Sequence, residues 1–188
     1  MKKRTMALLA AMLMIVGVMI GSTLAWLTAK SDAVVNTFTA SNIKIDLTET
    51  TGSTYKMVPG CTIKKDPTAT VKGGSEDCFL FVKIVERNNF SHYMTYEVDT
   101  SVWTKLEGES GVYYKKVNAS SSDQSWNILK DKNKEIKVNS SVTKADMTSL
   151  TESTYPKLEI TAYATQLYET NGKEFAVADA WAKVKPED

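Results

Sequence analysis

The sequence predicts an all-β protein, a jelly-roll-like antiparallel β-sandwich with one or two short helices, preceded by an N-terminal signal helix. Three observations lead there. Apolar and polar residues alternate with period two over several runs, as at Ile43, Ile45 and Leu47 against Lys44, Asp46 and Thr48. Turn signals such as Pro59-Gly60 and Gly73-Gly74 separate these runs at roughly ten to fifteen residues, the rhythm of a sandwich or barrel. Helical periodicity is confined to two short stretches near the C-terminus.

The chain opens with the three parts of an export signal. Lys2, Lys3 and Arg4 form a positive n-region, Met6 to Ile20 is an uncharged apolar core, and Gly21-Ser22-Thr23-Leu24-Ala25 supplies the small residues of a cleavage site. Cleavage is expected between Ala25 and Trp26, with Thr23 and Ala25 at −3 and −1. An uncleaved anchor is the competing reading, because the uncharged stretch Thr5–Ala29 has the length to cross a bilayer. No basic stop-transfer cluster follows it. Residues 26–188 are then expected as a single β-sandwich domain, with 26–39 a possible exchangeable N-terminal strand.

Strands follow in order. Asn42–Thr48 is half-buried, Thr48–Thr54 is a polar loop, and Pro67–Lys72 is a second short strand. Cys78–Glu86 (CFLFVKIVE) is the most apolar run and is expected to be buried on both faces. Further strands are expected at Met94–Val98, Val112–Val117 and Glu135–Val138, with the polar run Asn118–Ser125 a surface loop. Leu158–Tyr168 is the longest, with Leu158, Ile160, Ala162 and Ala164 on one face and Thr161, Tyr163 and Thr165 on the other. Thr143–Asp146 before Met147 and Leu150 reads as a capped single turn, and Phe175–Val184 as a short helix packing Phe175, Ala178, Trp181 and Ala182 on a sheet.

Charge and composition exclude several functions. Without Lys2, Lys3 and Arg4 the 23 basic residues fall to 20 against 22 acidic ones, so the mature domain offers no electrostatic footprint for nucleic acid. The only histidine, His92, rules out zinc sites of the HExxH kind, and its neighbour Ser91 cannot share a strand face with it. No phosphate-binding glycine motif occurs. Asp66, Glu76 and Asp77 are candidates for weak calcium binding, but such sites need six or more oxygens, and solvated acids are the plainer reading. Sequons at Asn89, Asn118 and Asn139 read as chance occurrences. No catalytic residue, cofactor or metal site is expected, and no enzyme activity.

The two cysteines, Cys61 and Cys78, are expected to form one disulfide if the chain is exported. It would close a 17-residue span and contribute roughly 3 kcal/mol. Two free thiols on neighbouring strands are the alternative.

At Gly21–Leu47 the chain reads GSTLAWLTAKSDAVVNTFTASNIKIDL. Its Gly21, Thr23, Ala25 box, the following Trp26 and Thr28, and the strand positions Asn36, Phe38, Ile43, Ile45 and Leu47 resemble the TasA/camelysin family. Those are exported Gram-positive proteins matured by a SipW-type signal peptidase. Ala40-Ser41-Asn42 stands where the family usually has a glycine. The segment PGCTIKKDPTATVKGGSEDCFLFVKI is similar to the family core, and the likeness fades after about residue 90. The resemblance implies a secreted protein of the cell surface or biofilm matrix, with no membrane association beyond the uncleaved signal. It also implies a SipW-like peptidase for maturation and self-association into fibres by donation of the N-terminal strand.

Residues alone support the same step. Trp26, Leu27, Val34, Val35 and Phe38 make an apolar segment at the start of the mature chain. A strand without a partner in its own sheet is satisfied by joining a neighbour's, and head-to-tail donation does not close. The alternative is that the segment completes its own sheet. A monomeric surface-adhesion or ligand-binding sandwich is the second functional reading, and a camelysin-like surface protease, for which no zinc set is recognisable, the third.

Overall fold

The computed structural model describes residues 42–52, 55–130 and 135–186. The expected signal segment, the expected Ala25–Trp26 cleavage site and the residues Trp26, Leu27, Val34, Val35 and Phe38 of the expected assembly strand lie outside the described residues.

The architecture is all-β and wholly antiparallel, as the alternation predicts. Among the described residues ten strands run β1 (Ile45–Thr48), β2 (Thr62–Lys64), β3 (Thr68–Val71), β4 (Cys78–Arg87), β5 (Met94–Tyr96), β6 (Thr104–Lys105), β7 (Val112–Val117), β8 (Gln124–Asn127), β9 (Glu135–Val138) and β10 (Lys157–Gln166). They form three sheets, ordered β1-β3-β8, β10-β4-β7-β6 and β2-β9-β5. Only β6 and β7 are neighbours in both chain and sheet, so nearly every connection crosses between sheets.

The apolar run in β4 organises the core. Cys78, Phe79, Leu80, Phe81 and Val82 are all 0% exposed, which requires cover on both faces. Alternation sends Cys78, Leu80, Val82 and Ile84 toward the first sheet, where they meet Ala69 and Val71 of β3 and Ile45 and Leu47 of β1. Leu158, Ile160, Ala162 and Ala164 of β10 join this face, as the alternation predicts. Phe79 and Phe81 point the other way, into a second cluster with Val112, Tyr114 and Tyr163.

A helix covers that second cluster. α3 (Val177–Ala182) follows α1 (Phe90–Tyr93) and α2 (Lys144–Thr148) in the chain. Trp181 is 2% exposed and stacks 5.2 Å from Phe81 and, edge-on, 5.4 Å from Tyr163. Its indole Nε1–H is buried without a hydrogen-bond partner among the described residues. α2 is the expected capped turn: Asp146 N donates to Thr143 Oγ1 at 3.2 Å while Thr143 N donates to Asp146 Oδ2 at 2.8 Å.

The third sheet has its own core, with Met94, Leu129, Ile136 and Val138 packed under Phe90 of α1 and Val142. The chain turns into α1 through Asn88 and Asn89, both left-handed at φ 57° and 54°, a conformation asparagine tolerates better than most residues. Asn88 Nδ2 fixes the turn by donating to the carbonyls of Ser153 and Tyr155 at 3.1 and 2.8 Å.

Three expectations are corrected. The Cys61–Cys78 disulfide does not form: both are free thiols, Cys61 exposed and Cys78 buried. Cys78 faces the sealed interior of the four-stranded sheet, between Val117 and Gln166. Cys61 precedes β2 of another sheet, where its carbonyl accepts from Val138 N. The expected loop Asn118–Ser125 gives up its last two residues to β8, whose Ser125 hydroxyl meets Thr70 of β3 at 2.8 Å. Finally, Ser91 and His92, expected from the sequence as neighbours on a strand, both lie in the helix α1.

Two predictions test this packing. Burial, with the Asp77 charge nearby, pushes the Cys78 thiol up to about 11, so at pH 8 it stays protonated and sealed. Native protein should take up one alkyl group, at Cys61, and a second only after unfolding. A native mass two hydrogens short of the dithiol would contradict this. Trp181→Phe removes an unpaired donor with little volume and should change stability by less than about 1 kcal/mol. Trp181→Ala should cost ~3–5 kcal/mol in denaturant unfolding.

Candidate functional site

β10 is ten residues long and stands at the end of its sheet. One side pairs with β4 from Lys157↔Arg87 to Gln166↔Cys78; among the described residues no strand pairs with the other. β10 contains no proline or glycine, and Lys157 and Glu159 are its only charged residues. A sheet edge of this kind is a template for a further strand.

β1 is likewise terminal in the facing sheet. Its end and the beginning of β10 border one cleft of about 200 Å³, lined by Leu47, Thr48, Glu49, Lys65, Pro67, Leu129, Ile136, Leu158 and Ile160. Apolar residues from β1, β9 and β10 dominate the lining because all three sheets meet there. The cleft is therefore a gap in the seam between open sheet edges.

Its two charged members hold each other. Lys65 Nζ lies 2.7 Å from Glu49 Oε1, with the lysine side chain 14% exposed and the glutamate 27%. The same ammonium donates to the Gly52 carbonyl at 3.1 Å and sits 4.5 Å from the centre of the Tyr55 ring. Next to it, Asp66 fastens the loop after β1. Its carboxylate accepts from the Thr50 hydroxyl and from the Thr50 and Thr51 amides at 2.9 and 3.2 Å. These bonds, the Thr50 hydroxyl first, hold the Asp66 carboxyl below its usual value. Of the polar loop expected at Thr48–Thr54, Thr48 ends β1, and Thr50 and Thr51 are tied back onto the segment between β2 and β3.

Comparison with protein-family models, curated proteins and solved structures finds no match to the chain.

The structure disperses the other candidate residues. Asp66 precedes β3 and Asp77 follows it, where Asp77 Oδ1 accepts from Ala119 N at 2.6 Å. Among the described residues no three His, Cys, Asp or Glu side chains form a group able to hold a metal. His92 is exposed and stacks edge-on at 4.8 Å against Tyr93. Among the described residues no helix is long and apolar enough to cross a membrane. Neither the cleft nor the Glu49–Lys65 pair is visible in the sequence pattern; charged residues in a Thr-rich loop carry no periodicity that would flag them.

The ion pair should be measurable. In a double-mutant cycle of Glu49→Gln and Lys65→Met, half-burial predicts a coupling energy of about 1 kcal/mol in urea unfolding. A coupling near zero would mean the two side chains do not meet in solution.

Proposed function

We propose that this chain is an exported subunit of an extracellular fibre or matrix, matured at Ala25–Trp26 by a SipW-like peptidase and assembled by strand donation between copies. The observation that carries the reading is the ten-residue edge of β10 beside the cleft, with which no strand pairs among the described residues. A long, sparsely charged sheet edge invites pairing with a further strand. The resource for that pairing is in the same sequence: residues 26–39 hold Trp26, Leu27, Val34, Val35 and Phe38, and follow the expected cleavage site directly.

The physical logic is reciprocal. The acceptor gains backbone hydrogen bonds along β10 and cover for apolar side chains at the seam, and the donor gains a sheet. Donor and acceptor are different parts of one copy, so the contact is head-to-tail and propagates as a filament. Retention of the apolar signal would hold residues 26–39 at the membrane, which makes cleavage the step that releases the donor.

Purified residues 26–188 should form polymers visible by electron microscopy, while residues 40–188, which contain every described strand, should remain folded and monomeric by sedimentation. Monomeric behaviour of both would sink the fibre reading and favour a monomeric binding sandwich.

A further inference from the structure

Asn171 is the only asparagine in the chain that precedes a glycine. An asparagine amide carbon lies within reach of the next residue's main-chain nitrogen, because a bond between them closes a five-membered ring. A side chain on the following residue crowds that nitrogen, and glycine has none. The surroundings are open as well. Both residues are exposed, and a Cβ on Gly172 would meet no described atom within 4 Å beyond its chain neighbours.

The turn holds the reacting groups together. The chain reverses after β10, with Glu169 N donating to the Lys173 carbonyl at 2.7 Å and Gly172 N to the Glu169 carbonyl at 2.9 Å. Gly172 is left-handed, at φ 79°. Lys173 N donates to Asn171 Oδ1 at 2.8 Å, an Asx-turn that folds the side chain over the Gly172 peptide. Asn171 Nδ2 donates to Glu169 Oε2 at 3.1 Å, which fixes the amide with its oxygen toward Lys173. The Gly172 hydrogen bond must open before its nitrogen can attack, and exposed turns open at little cost.

We propose that Asn171 is a self-modification site whose only co-reactant is water, and that its isoaspartyl product loosens α3 from the sheet. The Gly172 nitrogen gives up its proton to solvent and bonds to Asn171 Cγ. The Cγ–Nδ2 bond then breaks, and Nδ2 leaves as ammonia with a proton taken from solvent. Water opens the resulting succinimide ring at either carbonyl, leaving an aspartyl or an isoaspartyl linkage. Nothing is oxidised or reduced. Lys173 N is placed to stabilise the negative charge that builds on Oδ1 during the attack. Because the attacking nitrogen must lose its proton, the reaction quickens as pH rises above neutral.

Position gives the change its effect. The turn hands the chain from β10 to α3, with Phe175 N bonded to the Leu167 carbonyl at 3.0 Å and Tyr168 bridged to Glu174. Leu167 is buried, and Phe175 packs against the cluster that holds Ala180 and Trp181. Glu174 also pairs with Lys116 of β7. An isoaspartyl linkage routes the main chain through Cβ and Cγ, adding one atom to a turn on whose register those bonds depend. It also sets a second carboxylate beside Glu169. α3 has little of its own to resist this. It is six residues long, and Ala176 at its start gives no side-chain cap.

The test ages the purified full chain at pH 6 and at pH 8, beside Asn171→Gln. Isoelectric focusing of the parent should show an acidic species that grows faster at pH 8. Peptide mapping should place it at position 171, and Asn171→Gln should lack it. In the separated isoaspartyl fraction, amides of Val177–Ala182 should exchange about tenfold faster than in fresh protein, the effect of losing one hydrogen bond or two. Freshly made Asn171→Asp adds the charge without lengthening the chain and should exchange as the parent does. An unchanged charge in the aged parent, or a shift that maps to other asparagines alone, would overturn the site. Unaltered exchange of α3 in the isoaspartyl fraction, or equal loosening in Asn171→Asp, would overturn the link from the lengthened turn to the helix.

Discussion

A single strand buried on both sides sets the terms for the whole domain. β4 has no face for water: Cys78, Leu80 and Val82 must be covered by one layer and Phe79 and Phe81 by another. The first requirement brings the β1-β3-β8 sheet face to face with the β10-β4-β7-β6 sheet. The second draws α3 onto the back of the sheet, so that Trp181 closes over Phe81. Burying five consecutive side chains is a large part of the available hydrophobic stabilisation, at roughly 1.5–3 kcal/mol for each fully buried large aliphatic or aromatic side chain. The close packing shows in the backbone as well. Gly111, at φ +68°, lies so near Ile84 of β4 that a Cβ would overlap the Ile84 carbonyl oxygen, while its own carbonyl accepts from Ile84 N at 2.8 Å.

Centring the sheet on β4 leaves β10 at an edge. β4 needs two partners and takes β7 and β10, but β10 has β4 alone among the described residues. The connection before β10 passes through α2 and the third sheet, whose small separate core stands beside the sandwich. The seam where the three sheets meet is not filled by their own side chains, and the cleft remains. Edge and cleft therefore share one cause, and the functional reading uses both.

Much of this was legible in the residues. The runs with clear alternation or strong apolarity, Cys78–Glu86, Val112–Val117, Glu135–Val138 and Leu158–Tyr168, form strands at or within a residue or two of those bounds. The facing of Leu158, Ile160, Ala162 and Ala164 was readable because period two is all that a strand face requires. β8 was not, because Gln124-Ser125-Trp126-Asn127 is polar and owes its state to pairing with β3. β2 is three residues long and equally dependent on its partner. The cysteine pairing failed for a related reason: separation in sequence says nothing about which face of which sheet a side chain meets. The cleft is built from residues of several distant segments, a juxtaposition that topology alone creates. The expected donor residues Trp26, Leu27, Val34, Val35 and Phe38 lie outside the described residues and rest on the sequence alone.

Amide hydrogen exchange along β10 tests the central claim most directly. In residues 40–188 alone, amides of Lys157–Gln166 bonded to β4 should be protected and the outward ones should exchange quickly, giving alternation along the strand. In the assembled chain from Trp26 both sets should be slow. Uniform protection of β10 in the isolated domain would mean that its edge is already covered, and would contradict the account.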